Sequence, residues 1–189
     1  MANSQALRAR PLSVRPADVG PVPVLLAAAH RVAIILSGVL AGAILGTWLS
    51  EVSLGNSAES WIAYHQAITP AYTLAVPPVG GLALLATFAA LASSWRNARI
   101  RWFLLAAMGC LFVGMLVTVV VHFPINDAIM TWQPDTPPAD WQDLRARWLT
   151  AHAVRTVVAV AGFALVVLAV SRPGRAAAAD DAHVSPNSR

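Results

Sequence analysis

The sequence predicts an all-α integral membrane protein, an up-down-up-down bundle of four helices. Of its 189 residues, 57% are hydrophobic and only 12% are charged, whereas ordinary soluble domains are about 45–50% apolar and about 25% charged. The apolar residues form four long runs, each near the ~20 residues that a helix needs to cross a bilayer. Little of the chain is left for a soluble module, so we expect one membrane domain over residues 24–171.

The spans and connections follow from the order of these apolar runs. The predicted spans are residues 25–49, 71–94, 102–123 and 148–171. The two longer connections, 50–70 and 124–147, are polar and are expected on the outer side of the membrane. The polar, proline-containing segment 1–23 and the alanine-rich segment 172–189 predict disordered tails.

Three local patterns refine this outline. Pro77 and Pro78 lie within the second span, where they predict a bend that either is only a kink or opens a cavity on that side. The first connection contains a stretch, 57–68, that suits a short helix at the membrane interface. In the second connection, Asp140 is placed to cap a helix that begins near Trp141, so we expect the fourth helix to project beyond the membrane before entering it.

The charged residues are distributed as in a multi-pass membrane protein. All basic residues are arginines, and they flank the apolar runs instead of forming the basic stripe that binds nucleic acid. By the positive-inside rule, this bias places both termini in the cytoplasm. We therefore expect a bacterial cell-membrane protein with the lipid bilayer as partner. Gly38, Gly42 and Gly46 on one helix face suit either packing within the chain or a homo-oligomer contact.

Polar and titratable side chains converge on the outer ends of three predicted spans. The set comprises His65, His122, Asn126, Asp127, His152 and Arg155. In the fourth span Trp148, His152 and Arg155 fall on one helical stripe. An arginine facing lipid would cost several kcal/mol, so this stripe should face the bundle interior or a wet cavity. Such convergence in a nearly charge-free protein predicts a functional site.

Structural explanations for the same residues stay open. Arg155 could form an ion pair with Asp127 that locks two helices together, and Asn126 could cap a helix broken after Pro124. The three histidines His65, His122 and His152 suggest a metal or redox site, although they lack the close spacing of familiar metal motifs. A third alternative is a non-catalytic membrane protein in which the polar cluster is structural or binds a small molecule.

Two motifs in the second half of the chain resemble the signature of the anthrone oxygenase-like family. The run His122-Phe-Pro-Ile-Asn126-Asp is followed by an acidic, proline-rich loop and then by Trp148-Leu-Thr-Ala-His152-Ala-Val-Arg155. Members are small four-helix membrane proteins with a P-x-N motif after the third helix and an H-x-x-R motif in the fourth. The resemblance covers roughly residues 30–170. The matching residues are Pro124, Asn126, Trp148, His152 and Arg155.

The resemblance implies oxygenation of an anthrone, or a similar polycyclic phenol, by dioxygen without a tightly bound cofactor. In the mechanism that these residues permit, His152 removes a proton from carbon as the catalytic base. Arg155 and Asn126 then hold the enolate oxygen. Contacts to the aromatic substrate are expected from His65, His122, Asp127 and Trp148.

Overall fold

Five helices make up the part of the chain that the structure, a computed structural model, describes, residues 21–171. They are α1 (Pro21–Ser53), α2 (Ala58–Ser93), α3 (Ala98–Val117), α4 (Phe123–Ile129) and α5 (Trp141–Val170). A π-helical segment, Thr118–His122, joins α3 to α4 without a break. Residues 1–20 and 172–189, which make up most of the two predicted tails, lie outside the described residues. Residues 21–23 of the predicted N-terminal tail belong to α1.

The predicted fold class is confirmed. Because α3, the π-helical segment and α4 form one continuous helix, residues 21–171 contain four helices that are long and apolar enough to cross a membrane. This described part of the chain contains no β-strand. The placement of both termini in the cytoplasm stays a prediction.

The helices extend further than the apolar runs that predicted them. The expected connection at 50–70 is wrong in extent, because α1 continues to Ser53 and α2 begins at Ala58. Ser57 caps α2, its side chain accepting a hydrogen bond from the backbone N–H of Ser60 at 3.2 Å. A hydropathy profile marks only the part of a helix that is apolar enough for lipid. The helix itself continues beyond that part through polar turns that pack against neighbouring segments. The helix expected to end at Phe123 likewise continues to Ile129.

Pro124 is accommodated by the π-helical segment that precedes it. Proline has no N–H to donate, and just before it the backbone N–H of Phe123 bonds back to the carbonyl of Thr118, five residues earlier. Such wide turns are frequent at functional sites. Thr118 and His122 are both buried in this segment. The proline expected to break the helix therefore coincides with a local widening that carries two inward-facing polar side chains.

The α1–α2 turn and the segment 130–140 lie at the same end of the bundle. Arg145 of α5 donates to the carbonyl of Gly55 at 2.6 Å and to the side chain of Asn56 at 3.3 Å, in the short turn between α1 and α2. Gln66 of α2 donates to the carbonyls of Ile129 and Trp132, at 2.9 and 2.8 Å. These bonds hold the segment 130–140 over the ends of α1 and α2, where the polar residues converge.

Helix α5 is central, since it packs along both α1 and α3. Its contact with α3 is close at Gly162, where an added Cβ would lie 3.2 Å from Cβ of Cys110 and 3.6 Å from the carbonyl oxygen of Ala107. Small residues at such crossings let membrane helices approach each other closely. Cys110 therefore contributes to packing at this crossing.

We expect Gly162→Val to lower the free energy of unfolding by about 1–3 kcal/mol, the usual cost of overpacking. Thermal unfolding of the purified protein in detergent measures this effect. Gly109→Val is the matched control, because Gly109 lies exposed on α3 with nothing within 4 Å of an added Cβ. Equal unfolding temperatures for the two variants would contradict the close α3–α5 contact.

Candidate functional site

A cavity of about 50 Å³ lies among the four membrane helices, near the end of the bundle that carries the α1–α2 turn and the segment 130–140. Of the residues predicted from sequence, those that line it are His65, His122, Asn126, Trp148 and Arg155. Two predicted residues do not line it. Asp127 is exposed on the outside of α4, and His152 is fully buried behind the cavity wall.

Arg155 is a buried cation at this cavity, and the residue is only 9% exposed. Its Nη1 donates to Oγ1 of Thr118 at 3.2 Å, and its Nη2 donates to Nδ1 of His152 at 2.7 Å. Among the described residues, no carboxylate oxygen lies within 4.0 Å of it, so the ion pair with Asp127 considered above is not formed. Its buried Nε has no partner in the described chain. A buried charge normally requires a counter-charge.

His152 has both ring nitrogens engaged. Arginine has only donors, so Nδ1 of His152 must accept from Arg155 and the ring proton must sit on Nε2. Nε2 in turn donates to the carbonyl of Ile44 in α1, at 3.0 Å. These contacts favour a positioning role, in which His152 orients the guanidinium and ties α5 to α1. They leave no free nitrogen for the catalytic base role predicted from sequence.

Asn126 and Trp148 form a hydrogen bond in which the donor and the acceptor can be assigned. The indole Nε1 of Trp148 donates to Oδ1 of Asn126 at 2.8 Å. Because indole can only donate, the amide oxygen of Asn126 must face Trp148, and its NH₂ group is left to donate elsewhere. Asn126 lines the cavity, so its free donors are available to an oxygen of a bound molecule.

The three histidines pack around the ring of Trp148. That ring stacks on His152, with centroids 4.6 Å apart, and makes edge contacts with His65 at 4.7 Å and with His122 at 5.0 Å. Within residues 21–171, no group of three His, Cys, Asp or Glu side chains is placed to hold a metal ion. The trio considered as a metal site is therefore an aromatic cluster with Trp148 at its centre.

His122 presents an unpaired acceptor. Its Nδ1 lies 3.3 Å from the carbonyl of Val117, and since a carbonyl only accepts, Nδ1 carries the proton. Nε2 is then an acceptor, and it is buried without a partner in the described part of the chain. An unpaired buried acceptor costs about 1–3 kcal/mol.

Glu51 is a site residue that the sequence analysis missed. It is fully buried, and its Oε2 accepts a hydrogen bond from Nε1 of Trp61 at 2.8 Å. Its Oε1 lies 3.1 Å from Nδ1 of His65, although the ring N–H is not aligned for a full hydrogen bond. The sequence did contain a signal for Glu51, since Ser37, Ile44 and Glu51 recur every seven residues and so share one face of a helix. In the structure all three are buried on α1.

Thr118, the hydroxyl partner of Arg155, was also missed. It lies in the uncharged stretch Leu-Val-Thr-Val-Val-Val, where a threonine usually bonds only to its own helix. Thr118 does donate to the carbonyl of Gly114 at 2.9 Å, and this bond leaves its oxygen free to accept from Arg155. The sequence carries no local signal for that second role.

Comparison with known proteins identifies one family. A family model described as anthrone oxygenase matches residues 68–165, more than half of the 189-residue chain. The matched stretch includes Asn126, Trp148, His152 and Arg155, and it begins after Glu51 and His65. No curated protein and no solved structure matches the chain.

Replacing Trp148 by Phe should destabilise the protein by at least about 1 kcal/mol, because the substitution removes the donor to Asn126 and part of a buried ring. Chemical or thermal unfolding in detergent would show the change. Trp102→Phe serves as the control, since Trp102 is 64% exposed near the opposite end of the bundle. If both variants unfold like the wild type, the Trp148–Asn126 bond does not stabilise the site.

Proposed function

The chain belongs to the anthrone oxygenase family, and we propose that it oxygenates a planar, anthrone-like polycyclic phenol with dioxygen. The observation that carries this proposal is Arg155, a buried guanidinium that borders a cavity and has no carboxylate partner among the described residues. Such a group is suited to an anion that forms within the cavity. The enolate of an anthrone is an anion of this kind.

The overall reaction needs no reductant or other co-substrate. Removal of a proton from the CH₂ group of an anthrone places the electron pair on the ring carbonyl oxygen as an enolate. The electron-rich carbon then reduces dioxygen, a carbon–oxygen bond forms, and protonation gives a hydroperoxide. Loss of the second C–H proton with cleavage of the O–O bond leaves a quinone carbonyl and releases water. One oxygen atom of dioxygen enters the product and the other leaves in that water.

Some residues of the site stabilise the negative charge of the enolate, and others recognise the substrate. Arg155 and the NH₂ group of Asn126 donate to the enolate oxygen, as preorganised donors do in sites that stabilise oxyanions. His152 and Thr118 hold the guanidinium in place and so act through Arg155. His122 lines the cavity, and a rotation of its ring turns the buried, unpaired Nε2 towards a phenolic hydroxyl, which selects phenols over unsubstituted ring systems.

Access to the cavity is from the side of the bundle. Tyr72, which is 39% exposed, and the exposed Thr73 both line the cavity and belong to the membrane-spanning helix α2. At about 50 Å³ the cavity is far smaller than the ~300–1,000 Å³ of typical ligand pockets. A three-ring substrate therefore inserts its oxygen-bearing edge and displaces these side chains of α2 outward.

A second, apolar cavity is suited to dioxygen. It has a volume of about 30 Å³ and borders Arg155 from the side of α3. Gly114, Met115 and Ala159 contribute to its lining. Both cavities share Ile44, Val76 and Pro77 as wall residues. A small apolar gas bound there would lie beside the enolate held at Arg155.

Arg155→Gln should lower the rate of anthrone oxygenation by about 10²–10³-fold, the usual effect of losing one oxyanion donor. Dioxygen uptake and the absorbance of the anthraquinone product, both in membranes supplied with anthrone, measure this rate. Arg147→Gln is the matched control, because Arg147 is exposed on the same helix.

Three results distinguish the alternatives. A folded Arg155→Gln protein with the wild-type rate would remove Arg155 from the mechanism. Wild-type protein that quenches its tryptophan fluorescence on binding anthrone, but consumes no dioxygen, would favour the non-catalytic small-molecule-binding protein. Absence of both binding and uptake would overturn the proposed function.

A further inference from the structure

We propose that Glu51 and His65 are the proton-accepting pair of this site, with His65 as the catalytic base and Glu51 as its positioning residue. This inference rests on the proposed function. It assigns the deprotonation step to two residues that lie outside the segment matched by the family model.

Two side chains of α2 lie against the carboxyl group of Glu51. Trp61 and His65 lie four residues apart on α2, so both face the same way. Nε1 of Trp61 donates to one carboxylate oxygen at 2.8 Å, and Nδ1 of His65 lies 3.1 Å from the other. A carboxylate inside a membrane bundle is expensive and needs such partners. The ring N–H of His65 is not aligned for a full hydrogen bond to Glu51, but the 3.1 Å approach places Glu51 to favour the ring proton on Nδ1.

The other nitrogen of His65 is then the free base. With the proton on Nδ1, Nε2 carries a lone pair, and no described residue forms a hydrogen bond with it. His65 itself lines the cavity. A carboxylate behind one histidine nitrogen, with the opposite nitrogen facing the reacting group, orients the ring and stabilises the imidazolium that forms.

The other two histidines are less suited to accept the proton. Both nitrogens of His152 are engaged, and its ring does not line the cavity. His122 follows Thr118 by one turn, and Thr118 holds the guanidinium of Arg155. A positive charge on His122 would be opposed by that guanidinium, and no carboxylate of the described chain lies beside it to compensate.

Proton transfer to His65 leaves two neutral ion pairs. A C–H bond of the substrate breaks, the proton binds Nε2 of His65, and the electron pair moves to the enolate oxygen. The imidazolium then faces the carboxylate of Glu51, and the enolate faces the guanidinium of Arg155. No uncompensated charge is created in a region of low dielectric constant, where separated charges interact strongly. His65 returns this proton to the peroxide anion that forms from dioxygen, which gives the hydroperoxide. It then accepts the second C–H proton as the O–O bond breaks and passes it to the leaving hydroxide, which completes the water molecule.

Exchange of the CH₂ hydrogens of anthrone for deuterium, in D₂O and without dioxygen, isolates this step from the oxidation. His65→Asn keeps an N–H donor for Glu51 but removes the base, and it should lose about 10²–10⁴-fold in protein-catalysed exchange. Anthrone binding, followed by tryptophan fluorescence, should persist. Glu59→Gln, an exposed carboxylate of the same helix, should exchange like the wild type.

Glu51→Gln tests the positioning residue by a readout that packing alone would not change. Its amide oxygen can still accept from Trp61, and its NH₂ group then faces His65 and moves the ring proton to Nε2. We expect kcat to fall by at least about 10²-fold with KM unchanged. The ¹⁵N chemical shifts of His65 should report the reversed tautomer.

The outcomes separate the two proposals. Wild-type exchange in folded His65→Asn protein overturns the base assignment. If that variant does not accumulate, an unchanged kcat and tautomer in Glu51→Gln overturn it instead. In either case wild-type dioxygen uptake would leave the oxygenase function standing. If wild-type protein neither exchanges nor oxygenates anthrone, both proposals fail.

Discussion

The interaction on which the site depends is the hydrogen-bonded cation formed by Arg155, His152 and Thr118. A guanidinium inside a membrane bundle costs several kcal/mol unless its donors are satisfied. Here the donors reach a histidine on α5 and a threonine in the π-helical segment, and that histidine bonds onward to the carbonyl of Ile44 in α1. One buried charge therefore ties three of the four spans together. Its buried Nε has no hydrogen-bond partner in the described part of the chain.

The buried carboxyl group of Glu51 does not pair with Arg155. Its partners are Trp61 and His65, and those of Arg155 are Thr118 and His152. A fold selected only for stability would gain by pairing the two ions directly or by replacing both with apolar side chains. Arg155 and His65 line the cavity, and Glu51 lies behind His65, so the carboxyl group and the guanidinium stay apart. This separation of the two groups supports the proposal that the polar cluster is a reaction site.

The fold was predictable because lipid imposes length and apolarity on every span, and four runs in this sequence meet both conditions. The convergence of His65, His122, Asn126 and Arg155 was predictable from helix order alone. Helix ends were not, since the polar turns around Glu51 continue α1 through contacts that hydropathy does not detect. Asp127 was misplaced because it lies about 100° around the helix from Asn126. His152 can position Arg155 only in one tautomer of its ring. The hydrogen-bond partners of both ring nitrogens determine that tautomer, and the sequence does not reveal them.

If the proposed reaction takes place, the exposed position of Tyr72 at the cavity means that substrate concentration has to be expressed within the membrane. A flat, apolar phenol dissolves in the bilayer far better than in water, so molecules reach α2 by diffusing within the lipid. The relevant quantity is the mole fraction of substrate in the membrane. At a fixed total amount of substrate, added lipid dilutes it in two dimensions and slows turnover. Kinetic constants expressed per volume of buffer would therefore differ between one vesicle preparation and the next.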